Sequence, residues 1–141
     1  MAHPISVRFR DPNVVEHLKR EAGARGRSTS MIAEELIDEG LRSRRHPLVG
    51  FRDGPGGRRA ALVGGPDIWE VVAGLVGGDV AASERMARAS DVFGQRPDQL
   101  DAAFAYYAEF TEEVDGLIQA NLAAADEAEA LWRRQQGLLA G

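Results

Sequence analysis

The chain has 141 residues and 17 Lys and Arg against 22 Asp and Glu, a formal net charge of −5. With 44% hydrophobic and 28% charged residues, no apolar run near the roughly 18 residues that span a bilayer, and a start "MAHPISVRF" without a basic and then apolar signal segment, it reads as a cytoplasmic protein with no membrane partner. The lack of cysteine excludes disulfides and thiolate metal sites, and His3, His17 and His46 show no ligand spacing, so no metal and no cofactor is expected.

Charge is unevenly spread. Residues 1–47 hold nine Arg and Lys against seven acids, a net +2, whereas residues 48–141 hold eight against fifteen, a net −7. Such asymmetry predicts different partners for the two parts, a nucleic acid among them.

In "ISVRFR" (residues 5–10) apolar and polar residues alternate, which predicts a strand with Ile5, Val7 and Phe9 on one face and Ser6, Arg8 and Arg10 on the other. Asp11 suits an N-cap and Pro12 a first helical position, opening a helix to about Ala24 whose apolar side is Val14, Val15, Leu18 and Ala22. Gly26 suits a turn with positive φ, and Ser28 caps a second helix with Ile32, Leu36, Ile37 and Leu41 on one side. Arg42, Arg44 and Arg45 face the negative end of its dipole, and "HP" at 46–47 stops it. A unit this small buries too little surface to stand alone, and a lone strand leaves its backbone unpaired. A homodimer is therefore expected, its two strands forming an antiparallel ribbon whose arginines fit a DNA major groove.

Residues 4–45 resemble the ribbon-helix-helix proteins of the CopG and Arc type, on the strand "ISVRFRD", the turn "GRSTS" and the apolar spacing of the second helix. The resemblance implies a dimer on double-stranded operator DNA, with Ser6, Arg8 and Arg10 reading bases and Ser28, Thr29 and Ser30 holding a backbone phosphate.

Beyond residue 47, "LVGFR" and "RAALV" read as two short strands joined by the turn-rich "DGPGG". The glycines lack the residues of a phosphate-binding loop. From Pro66 a helix carries Ile68, Val71, Val72, Leu75 and Val76 on one side and closes at Gly77 and Gly78. Asp79 suits the cap of another helix to about Ala89, and Pro97 opens a third with Leu100, Ala103, Phe104 and Tyr107 inside. "RRAALVGGPDIWEVVAGL" and "RPDQLDAAFAYYAEF" resemble, over residues 47–115, a small helix-turn-helix-like domain of VapB-like antitoxins found beside toxins of the PIN type.

From Glu109 to Leu131 the chain is helix-prone, acidic and free of basic residues, and "LWRRQQGLLAG" follows. Val114, Ile118, Ala125, Trp132 and Leu139 fall near one side, which either folds back on its own domain or meets a partner. The resemblance implies a toxin there, held by Val114, Ile118, Leu131, Trp132, Arg133 and Arg134, with a guanidinium entering the carboxylates that hold a divalent metal in PIN-type ribonucleases.

The expected fold is mainly α. A dimeric ribbon-helix-helix domain (1–46) precedes a β-hairpin plus helical bundle (47–115) and a C-terminal helical tail (116–141). The expected function is that of a type II antitoxin, autorepressing its operator and neutralising a PIN-type toxin; a stand-alone dimeric repressor is the alternative. With no Gly-x-Ser-x-Gly, scattered histidines and carboxylates patterned as a solvated helix face, no enzyme is expected.

Overall fold

The computed structural model describes residues 2–75 and 81–141, and the chain divides into two compact units, 1–44 and 45–141. Val76, Gly77, Gly78 and Asp79, expected at a helix end and the next helix cap, lie outside the described residues.

The first unit holds two helices, α1 (Pro12–Arg25) and α2 (Thr29–Arg45, its last residue assigned to the second unit). Asp11 caps α1 by accepting the Asn13 N–H at 2.9 Å, and Pro12 takes the first position, where its missing N–H has no helical partner to lose. Gly26 ends α1 at φ +62°, a left-handed conformation in which a β-carbon would be strained. Ser28 then accepts the Met31 N–H at 3.1 Å and starts α2.

The expected ribbon is absent. Residues 2–9 form no strand, and the regular structure opens with a helical pair followed by an internal hairpin, so the ribbon-helix-helix order does not describe this chain. Alternation of Ile5, Val7 and Phe9 sets which side of a strand would be apolar, but a strand also needs a neighbour for its N–H and C=O groups. Among the described residues none pairs with this segment. The resemblance to a ribbon-helix-helix antitoxin with a VapB-like second domain is corrected accordingly, and so is a DNA-binding architecture built on that ribbon. The mainly helical character stands.

The second unit is built on a hairpin of β1 (Val49–Gly54) and β2 (Gly57–Leu62), antiparallel, with Val49 opposite Leu62 and Arg52 opposite Arg59. Helices α3 (Ile68–Leu75), α4 (Ala82–Phe93) and α5 (Pro97–Glu109) follow, then the 30-residue α6 (Thr111–Ala140). The helix expected from Pro66 begins two residues later, because Pro66 O accepts the Leu62 N–H at 3.0 Å and Asp67 forms a bridge with Ala61.

Ile68, Val71, Val72 and Leu75 recur at helical spacing and turn one side of α3 into a core shared with Val49, Leu62, Leu100, Ala103 and Val114. Tyr106 sits at the centre, fully buried, its ring 4.6 Å from that of Phe110. Gly74 lets Phe93 of α4 close on α3, since a β-carbon there would come within 2.9 Å of the ring. Phe110, at φ −119° and ψ 44°, breaks the helical run and separates α5 from α6.

Candidate partner-binding surfaces

The first turns of α6 are gripped by their own unit. Val114 is buried in the core and Ile118 packs partly buried against it. Two tyrosines of α5 add polar ties, Tyr106 donating to Glu113 and Tyr107 to Asp115, each at 2.7 Å. The Tyr107 phenol is held above its ordinary pKa by the hydrogen bond to Asp115, then by desolvation and the carboxylate's charge. At the last held turn Asn121 donates to the Leu117 carbonyl at 2.7 Å.

Beyond residue 121 the helix leaves this cover. Every residue from 122 to 141 is exposed, with Leu122, Leu131, Trp132, Leu138 and Leu139 all more than half accessible and Leu138 at 83%. Leu131 and Leu138 lie on one side of α6 with Trp132 and Leu139 beside them, a group of exposed apolar side chains of the kind that marks an interaction surface. Arg133 reaches back to Glu129 at 2.7 Å in an i, i+4 pair, and Arg134 is exposed beside it. The six residues expected to hold a toxin thus fall in two places. Val114 and Ile118 face their own core; Leu131, Trp132, Arg133 and Arg134 stand on the open half of α6.

The first unit presents a second uncovered surface. Only Ala22 and Ile32 are buried among its described residues, while Ile5 (86% exposed), Val7, Phe9, Met31, Leu36, Ile37 and Leu41 are open. Arg8 and Arg10 are exposed, as are Ser6 and the Ser28–Thr29–Ser30 start of α2, where the Ser28 hydroxyl already serves as cap. Several other basic residues are matched within the unit: Arg25 with Glu21 at 2.5 Å, Arg27 with Glu35 at 3.0 Å and Arg42 with Asp38 at 3.1 Å. The segment before α1 thus offers open cations beside open apolar side chains.

Two polar clusters went unread in the sequence. Asp67, 2% exposed, lies 2.8 Å from Arg52 Nε and 2.5 Å from Arg59 Nε, and accepts from Trp69 Nε1 at 3.1 Å. The Arg59 N–H is not aimed at the carboxylate, so that contact is an ion pair without an aligned hydrogen bond. Arg52 also donates to the Gly65 carbonyl at 2.5 Å. The register carries the signal that could have revealed this site: like charges directly opposite on a ladder repel unless an anion lies between them, and Arg52 faces Arg59. The second cluster joins buried His46 to Glu109 at 2.7 Å, with Arg45 on the other carboxylate oxygen at 3.2 Å and the Tyr106 ring edge-on to the imidazole. Both clusters fasten elements of the second unit, each holding one buried group, Asp67 or His46, against more exposed charged partners.

Among the described residues no group of three or more His, Asp or Glu is placed to hold a metal ion, and no helix is long and apolar enough to cross a membrane. No protein-family model matches this chain, and neither a curated protein nor a solved structure matches it.

Proposed function

We propose that this protein acts by binding, as an antitoxin-type regulator: its open C-terminal helix captures and neutralises a protein toxin of the PIN ribonuclease type. The first unit self-associates into a homodimer and brings its cations to operator DNA. The observation that carries the reading is the outer half of α6, where Leu131, Trp132, Leu138 and Leu139 stand in water on a helix fastened at its base. An aromatic anchor flanked by arginines has the composition of an interface centre. In the first unit the uncovered Ile5, Val7, Phe9, Ile37 and Leu41 support self-association, and Arg8 and Arg10 supply charge for phosphates without a strand ribbon.

The test is co-expression of the full chain with the product of the adjoining reading frame. Co-purification of the two, relief of growth arrest, and loss of both on truncation after Leu131 are expected. An unrestrained neighbour, or inhibition that survives the truncation, overturns the toxin arm. For the DNA arm, the full chain should shift its own upstream region in a salt-dependent manner. An unshifted fragment at low salt removes it.

A further inference from the structure

We infer that the open half of α6 also pairs with the same segment of a second copy, antiparallel, so that self-association and partner capture compete for one surface. The inference rests on the reading of that half as a binding surface and adds a specific occupant and geometry.

Spacing comes first. Leu117, Asn121, Ala124, Ala128, Leu131 and Gln135, with Leu138 after them, follow one another at alternating steps of four and three, the repeat that keeps one seam facing a partner helix. The span 121–138 is about 27 Å of helix at 1.5 Å per residue, and most helical stability in proteins comes from packing of a face rather than from propensity. A helical partner stabilises it by covering the seam.

Side-chain size and charge then select the partner and the direction. With a two-fold axis between Glu129 and Ala130, Ala128 lies opposite Leu131, Ala124 opposite Gln135 and Asn121 opposite Leu138. Each layer sets a smaller side chain against a larger one. A parallel arrangement would set Ala124 on Ala124 and Ala128 on Ala128, leaving two layers underfilled between helices held apart by the Leu131 and Leu138 layers. The same axis brings Arg134 beside Glu127 of the other copy on the flank of the seam, whereas parallel pairing sets Glu127 beside Trp132 and Arg134 beside Leu139. A two-fold interface needs a self-complementary surface, and this segment is complementary to its own reverse in both volume and charge.

The cysteine-free chain makes the test direct. Full-length Ala124→Cys and Gln135→Cys variants, both at solvent-exposed helical positions, are oxidised separately and after mixing. A disulfide-linked dimer joining 124 to 135 is expected only in the mixture, with its yield falling several-fold when Arg134→Glu is added. A link of either variant to itself, or no link in the mixture, overturns the antiparallel pairing. If the link is missing while the adjoining gene product is still captured, the pairing fails and the proposed function stands. If the link forms and nothing is captured, the pairing stands and the toxin arm fails.

Discussion

The two halves of α6 share one helix and one apolar period, yet their surroundings are opposite. Val114 and Ile118 recur at the spacing that later yields Ala125, Trp132 and Leu139, but the first pair enters a core built around Tyr106 while Trp132 and Leu139 stand in water. Periodicity determines which side of a helix is apolar; the number of neighbouring elements within reach determines how much of it is covered. Here α3 and α5 reach only the first turns, and α6 continues for a further 19 residues or so without them. One end of α6 therefore contributes to the core, and the other leaves its apolar side chains exposed.

The sharpest way to break this contrast is to remove the grip. Tyr106→Ala empties the centre of the core and removes the bond to Glu113, and should cost about 3–5 kcal/mol in denaturant unfolding of the second unit. A loss below about 1 kcal/mol would mean that the core does not depend on this ring. Next in size, Asp67→Ala leaves the Arg59 guanidinium without its partner; because Arg52 is nearly half exposed and recovers water, the expected cost is about 2 kcal/mol.

Matched truncations on the two halves test the contrast itself. Val114→Ala should destabilise by about 2 kcal/mol, whereas Leu131→Ala or Trp132→Ala should stay within about 0.5 kcal/mol in thermal melts of the unassociated chain. The outer variants should instead lose association, read by sedimentation and by capture of the adjoining gene product. Equal destabilisation at 114 and 132 would show that the outer half is covered within its own chain.

The smallest effect belongs to the Tyr107–Asp115 tie. A phenol whose pKa is raised on folding stabilises fully below its ordinary value near 10, and that contribution fades as pH rises through the raised value. Melts of Tyr107→Phe and the parent chain should therefore differ slightly at neutral pH and converge under strongly alkaline conditions. A gap that widens with pH would contradict the assigned cause.

Much of the second unit was legible because its signals are local. The "DGPGG" turn marks the hairpin, Pro97 marks the start of α5, and the spacing of Ile68, Val71, Val72 and Leu75 marks the buried side of α3. In the first unit Asp11, Gly26 and Ser28 cap the helices for equally local reasons. The N-terminal strand went wrong because alternation between Ile5 and Arg10 is a statement about faces, and a ladder also needs a second backbone. The Arg52–Asp67–Arg59 site went unread because a carboxylate eight residues beyond Arg59 acquires its meaning only when the hairpin register sets the two arginines opposite each other.

By itself, the sequence determined the helical periods, the caps, the hairpin turn, the exclusion of disulfide chemistry and the acidic-then-basic order along α6. These depend on backbone conformation and charge within a few residues. Only the tertiary structure decided that Val114 is core and Trp132 surface, that His46 meets Glu109 63 residues away, and that the segment before Asp11 pairs with no strand among the described residues. Burial and pairing are properties of what arrives from elsewhere in the chain, and a local pattern can only prepare a face for it.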